Sequence, residues 1–202
     1  MKAAYIIAAG DLEDTDFYYS LAKDGFIICA DGGFDNAMEM GLKPDVVLGD
    51  MDSVRTQCFD RYKVIKFPVK KDKTDTHLAI DYALSEGFRD IKILCAFGGR
   101  ISHELANIML LEYISQNGAT GVLLSPTKSV FLLSGIGKFE KNDAKYISII
   151  PLSESAVVTA NGVLYPIERR VMRSQTYGIS NEFLDNVAEF EVHEGSVFVI
   201  IE

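Results

Sequence analysis

Phe26-Ile27-Ile28-Cys29-Ala30-Asp31-Gly32-Gly33 decides the fold. An uninterrupted apolar run stops at a carboxylate and two glycines. Such a run, bounded by glycine, is the pattern of a strand covered on both faces, and strands of that kind belong to parallel sheets flanked by helices. The same grammar repeats outward from it. Val46-Val47-Leu48 stops at Gly49-Asp50-Met51-Asp52-Ser53, and the run 91–97 stops at Gly98-Gly99-Arg100. Further apolar runs lie at 3–9, 63–67 and 121–124, with helix-like segments between. Residues 1–125 are therefore predicted to form an α/β domain with a mostly parallel sheet and flanking helices. Helices are best marked at 74–85, where Leu78, Ala79, Tyr82 and Ala83 share a face, and at 102–116, where Leu105, Met109, Leu110 and Tyr113 do. Gly118 supplies the stop of the second.

Beyond Pro126 the texture changes. The segments 130–133, 146–150, 156–159, 188–191 and 197–201 are short and β-rich, separated by Gly, Asn, Ser and Pro. Residues 126–202 are predicted to be an all-β sandwich or barrel with no helix of its own. A module of that size has a small core, so docking on the first domain or pairing with a second chain is expected.

The 202 residues carry 48% hydrophobic side chains and a net charge of -9. That balance disfavours a nucleic-acid binder, which presents a basic face to phosphates. It is compatible with a single nucleotide, because bound Mg²⁺ reverses the local charge. Cys29, Cys58 and Cys95 are odd in number without CxxC spacing, the pattern of buried, reduced thiols. The short apolar start followed by Asp11, Glu13, Asp14 and Asp16 does not read as a signal peptide, and no run is long enough to cross a bilayer. A cytoplasmic protein with no membrane partner is expected.

Three acidic clusters sit where apolar runs end: Asp31 in ADGG, Asp50 and Asp52 in GDMDS, and Asp72 and Asp75 in Lys71-Asp72-Lys73-Thr74-Asp75. The carboxyl edge of an open sheet is where ligands bind. Carboxylates gathered there repel one another unless cations join them, and hard oxygen donors suit Mg²⁺ shared with a polyphosphate. Each cluster alone has a plain alternative. Asp50 and Asp52 point to the same side of an extended segment and either share a metal or belong to an ordinary Asp-rich loop. Thr74 is either a ligand contact or simply the N-cap of the next helix, with Asp75 favouring the positive end of its dipole. Lys70, Lys71 and Lys73 are either phosphate-facing cations or solvated lysines. Gly98-Gly99-Arg100 before a helix suits a phosphate-facing turn, and His103 and Asn107 share one helical face, yet a tight turn with a surface histidine explains them as well. Thr176-Tyr177-Gly178-Ile179-Ser180-Asn181-Glu182 is a polar loop that a plain hairpin accounts for.

In combination and in this order, ADGG, GDMDS, KDKTD, GGRxxHxxxN and GISNE resemble the thiamine pyrophosphokinase family over nearly the whole chain. The resemblance implies an N-terminal α/β domain that binds ATP and Mg²⁺, a C-terminal β-sandwich that binds thiamine and dimerises, and a homodimer with active sites between subunits. It implies Asp50, Asp52 and Asp75 as Mg²⁺ ligands with Asp31 and Asp72 nearby. Contacts to ATP are implied for Asp31, Gly32, Thr74, Gly99, Arg100, His103 and Asn107, and the thiamine pocket for Ser180 and Asn181. Asp50, Asp52, Asp72, Asp75 and Arg100 make up the implied catalytic set, with Asp75 or Asp72 as acceptor of the hydroxyl proton. Ser102 departs from the family pattern, which has an acid there, and the chain has no Trp for stacking on thiamine. Other functions compatible with the clusters are a pyrophosphokinase for another alcohol such as a hydroxymethylpterin, a Mg²⁺-dependent nucleotide hydrolase, and a non-catalytic thiamine or nucleotide sensor.

Overall fold

The computed structural model describes residues 3–51, 54, 55, 61–68, 70, 72–173 and 176–202. The chain divides into two compact units, Met1–Pro126 and Thr127–Glu202.

In the first unit the strands are β1 (Ala4–Ile7), β2 (Phe26–Ala30), β3 (Val46–Gly49), β4 (Lys63–Lys66), β5 (Asp90–Leu94) and β6 (Thr120–Leu124). They lie in the order β6-β5-β1-β2-β3-β4, and every pairing among them is parallel. Helices α1 (Thr15–Ala22), α2 (Gly33–Glu39), α3 (Asp75–Ser85) and α4 (Ile101–Gln116) are the crossover elements among the described residues. The predicted α/β architecture is present. Its cause is visible in the core: Ile6, Ile7, Ile28, Leu48, Ile91, Ile93 and Leu94 are almost wholly removed from water, each worth roughly 1.5–3 kcal/mol of transfer free energy. β4, an edge strand, is exposed at both Lys63 and Lys66, the charged edge that discourages further pairing.

Chain order reverses direction beside β1, between β2 and β5. The crevice at the carboxyl ends of these strands is the topological switch point of the sheet. Thr74 accepts from His77 N–H at the start of α3, the N-cap alternative read from the sequence, and Asp14, which was not picked out as a cap, accepts from Phe17 N–H at the start of α1. Gly118 stands at φ +70 just beyond α4, as a stop signal should.

Two helix faces differ from expectation. On α4 the buried residues are Asn107, Leu110, Leu111 and Ile114, whereas Leu105 and Met109 are exposed. On α3 they are Thr76, Ala79, Ile80 and Ala83. Both helices are apolar over more than one face, so periodicity alone left the buried side ambiguous by about one position. The run 91–97 is also shorter as a strand than predicted. It ends at Leu94, and Cys95, at φ +52, turns the chain out of the sheet.

The second unit is antiparallel. Its strands are β7 (Ser129–Glu140), β8 (Tyr146–Pro151), β9 (Ala156–Asn161), β10 (Ile167–Met172), β11 (Asn181–Glu182) and β12 (Val187–Ile201). The separate segments predicted at 188–191 and 197–201 are one strand. β12 pairs with β7 along its length, with β9 through residues 189–194 and with β8 through residues 197–201. Between Val192 and Val197 the register shifts, and Gly195 takes φ +78, so a bulge bends the strand from one partner to the other. The two halves of β12 thus belong to two sheet portions whose inner faces share a core that includes Ile147, Ile149, Val158, Phe190 and Val199. β10 was missed because Glu168-Arg169-Arg170 hides its period. It is an edge strand with a bulge at Arg169.

Among the described residues no helix is long and apolar enough to cross a membrane. Cys29 and Cys95 are free and buried. Burial raises both thiols, Cys95 to about 12, so neither is a ready nucleophile; Cys58 lies outside the described residues.

Candidate active site

A cavity of about 550 Å³ opens at the carboxyl edge of the parallel sheet. Three turns build it. Ala8-Ala9-Gly10 follows β1, Ala30-Asp31 ends β2, and Ala96 through Arg100 joins β5 to α4. Small residues there leave room for a ligand to approach the backbone. The turns are tied together: Gly10 N–H donates to Cys95 O at 2.9 Å and Asp11 N–H to Phe97 O at 2.8 Å. A Cβ on Gly10 would fall 2.2 Å from Phe97 O, so only glycine permits this approach. Asn36 on α2 clamps the first turn from below, its Nδ2 donating to Ala8 O at 3.0 Å and Gly10 O at 2.9 Å.

The acidic wall has a comparable frame. Asp31 is buried and held at φ +46, its N–H donating to Leu48 O at 2.7 Å, while its Oδ1 accepts from Met51 N–H at 3.1 Å. Met51 is itself at φ +67. Left-handed non-glycine residues thus recur at the ends of β2, β3 and β5, around this one cavity. Such strain persists where the surrounding structure over-determines it, commonly at functional sites. Asp50 and Asp75 line the cavity together with Asp31.

The same cavity also has cationic lining. Arg100 is the N-cap residue of α4, and its guanidinium Nη2 meets His103 Nε2, which is thereby the accepting nitrogen. Glu104 Oε1 accepts from Gly98 N–H at 2.7 Å and fixes the turn before Arg100. It is a carboxylate in the first turn of α4, where Ser102 itself is exposed. Asn107 is buried and donates to Ala96 O at 2.9 Å. The N-termini of α3 and α4 both reach the cavity, adding the positive ends of two helix dipoles.

Of the residues singled out in the sequence, Asp31, Asp50, Thr74, Asp75, Gly99, Arg100, His103 and Asn107 therefore line one cavity. Gly32 is off its wall as the N-cap of α2, and Asp72 is exposed and also off the wall. Asp52 lies outside the described residues, as do Ser53 and Lys71. Lys73, read from the sequence as either a phosphate-facing cation or a solvated lysine, lines the cavity, and Ala8-Ala9-Gly10 and Thr76 line it without having been picked out. The signal for Ala8-Ala9-Gly10 was present, since small residues end an apolar strand run.

Among the described residues no three metal-ligating side chains converge. The donor set nevertheless fits Mg²⁺, which is held by one or two carboxylates together with water and phosphate oxygens. Asp50 and Asp75 are hard oxygen donors that line the cavity, as does a third carboxylate, Asp31.

In the second unit a cavity of about 300 Å³ is lined by Tyr165, Ile167, Thr176, Tyr177, Gly178, Ile179 and Asn181. Asn181 is buried, and its amide is engaged by backbone: Oδ1 accepts from Tyr165 N–H at 2.9 Å and Glu182 N–H at 3.0 Å, and Nδ2 donates to Tyr165 O at 2.8 Å. Ser180 is exposed, at φ +56, with its N–H on Ser148 Oγ at 2.9 Å; it is off the cavity wall. The Arg170 guanidinium stacks 3.7 Å from the Tyr177 ring centroid. Tyr165 and Ile167 were not foreseen, because β10 itself was not.

Comparison with known proteins agrees with this layout. Residues 17–123 match the family described as thiamin pyrophosphokinase, catalytic domain, and residues 138–197 match thiamin pyrophosphokinase, vitamin B1 binding domain. The thiamine pyrophosphokinase of Bacillus subtilis (strain 168) is 30% identical over 184 residues, covering 86% of this chain and 85% of its own. Thiamine pyrophosphokinase 1 of Oryza sativa subsp. japonica is 31% identical over 183 residues, covering 75% and 67%. The crystal structure of the Bacillus subtilis protein superposes with a TM-score of 0.89 at 28% identity, covering 100% of this chain and 99% of its own.

Proposed function

Because this chain belongs to the thiamin pyrophosphokinase family, we propose that it transfers the pyrophosphoryl group of ATP to the hydroxyl of thiamine, giving thiamine diphosphate and AMP. One observation carries the reading at the level of the site. A single cavity at the sheet's switch point is lined together by carboxylates, by Arg100 and by the N-termini of two helices. That is the arrangement a polyphosphate with a divalent cation requires.

Asp50 and Asp75, with Asp52, would hold Mg²⁺, with Asp31 beside them. When bound, the ion neutralises polyphosphate charge that would otherwise repel an incoming oxygen. Arg100 and the Gly99 backbone border the anionic oxygens, Glu104 holds the Gly98 amide, and His103 fixes the guanidinium. Thr74 caps α3 and borders the same oxygens, and Asn107 acts by holding Ala96. The thiamine hydroxyl attacks the β-phosphorus, and its proton passes to a carboxylate. Asp75 is favoured over Asp72 as acceptor because it borders the cavity.

Thiamine is assigned to the second cavity, where Tyr165 and Tyr177 offer aromatic faces and Asn181 fixes the backbone of Tyr165. A homodimer is supported by exposed apolar side chains on the β-rich unit, including Leu164, Val171 and Leu184. A cytoplasmic location is supported by the free, buried thiols of Cys29 and Cys95 and by the use of ATP.

Isotope placement tests the reaction. With ATP labelled in the β-phosphate, label is expected in thiamine diphosphate and not in AMP; labelled ADP would refute pyrophosphoryl transfer.

A further inference from the structure

Beside the acidic wall, Lys73 borders the nucleotide cavity while its ammonium is held from behind. Lys73 Nζ donates to Asp81 Oδ2 at 2.5 Å, and Tyr113 O–H donates to Asp81 Oδ1 at 2.6 Å. Both oxygens of one carboxylate are therefore committed. Asp81 stands on α3 and Tyr113 on α4, so the pair bridges the two helices whose N-termini reach the cavity. The Tyr113 ring also lies under the ammonium, 5.5 Å from Nζ, and packs edge-on against His77 at 4.6 Å.

Three features make this more than a surface ion pair. Lysine is a flexible cation that loses rotamer freedom when fixed, and the Asp81 contact makes part of that ordering in advance. An ammonium has three N–H donors, of which Asp81 takes one. Finally, Asp81 is itself steadied from a second helix by a neutral donor, so the carboxylate cannot follow the lysine away from α3.

We propose that Asp81 and Tyr113 are positioning residues that hold Lys73 at the cavity wall as a further contact for the polyphosphate of ATP. Lys73 thus extends the cationic side of the site beyond Arg100. The inference rests on the assignment of this cavity to ATP.

Direct titration of ATP with Mg²⁺ into wild type, Lys73→Met, Asp81→Asn and the double variant tests it, alongside thiamine KM for each. Lys73→Met is expected to weaken ATP about tenfold, the loss of one charge-assisted contact, and Asp81→Asn about threefold, with thiamine KM unchanged. In the Lys73→Met background, Asp81→Asn is expected to add nothing. Tyr113→Phe, which keeps the ring, serves if Asp81→Asn fails to fold and is expected to weaken ATP about twofold through Lys73 alone. Equal losses in both backgrounds, or unchanged ATP affinity in Lys73→Met, would overturn the proposal. If wild type binds ATP with this coupling but makes no thiamine diphosphate, the positioning role stands and the proposed reaction fails.

Discussion

Asn181→Ala is expected to destabilise the β-rich unit as well as to impair thiamine use, because the Asn181 amide is engaged by protein backbone. Truncation removes three hydrogen bonds, two to Tyr165 and one from Glu182 N–H. At roughly 1 kcal/mol net for each, the ceiling is about 3 kcal/mol. Tyr165 is 66% exposed, so water replaces part of the loss, and about 2 kcal/mol is the working figure. For a chain of this size that lowers the unfolding midpoint by about 4–8 °C. Thermal unfolding of the full chain, followed by thiamine and ATP KM on the same preparation, is the assay. The midpoint should fall, thiamine KM should rise as the Tyr165 wall loosens, and ATP KM should hold. Asn181→Asp keeps the two acceptor contacts and loses the donor to Tyr165 O, so its midpoint should lie between wild type and Ala. An unchanged midpoint with a raised thiamine KM would refute the reasoning and make Asn181 a direct ligand contact.

Gly49→Ala places a Cβ 2.9 Å from Asp31 Cβ at φ +149, and Asp31 is pinned by Leu48 and Met51. It should cost roughly 1–3 kcal/mol and lower ATP-dependent turnover more than about tenfold, which a Mg²⁺ titration of the rate would show as a raised metal requirement. Asp50→Asn should leave the unfolding midpoint within a few degrees of wild type while abolishing most Mg²⁺-dependent product; an unchanged rate at saturating Mg²⁺ would remove Asp50 from the metal set. His77 is lowered chiefly by burial, then by the Lys73 charge, against an opposing pull from Asp81. The unfolded chain therefore takes up that proton more readily, and stability should decline as pH falls below about 6.5. Urea unfolding between neutral and mildly acidic pH should show this decline, flattened in His77→Gln.

The sheet was legible because its strands are buried on both faces and stop at glycines and carboxylates, so period and punctuation agreed. Asp31 and Asp50 were legible for the same reason, as they follow β2 and β3 at the ligand edge, whereas Asp75 opens α3 and Asp72 is exposed off the cavity. What escaped were contributions without local signature. Asn36 clamps a turn 26 residues away, and Asp81 serves Lys73 only because α3 begins between them. β10 carries three consecutive charged residues and offers no alternation to read. Asn181 was singled out for a thiamine pocket, yet only the fold reveals that its amide is bonded to the Tyr165 backbone.

The most direct test of the account is the stoichiometry of one reaction mixture containing the protein, ATP, Mg²⁺ and thiamine, with a thiamine-free control. The account predicts AMP that appears only with thiamine and matches thiamine diphosphate mole for mole. AMP or ADP released equally without thiamine, or thiamine binding with no turnover, would contradict it.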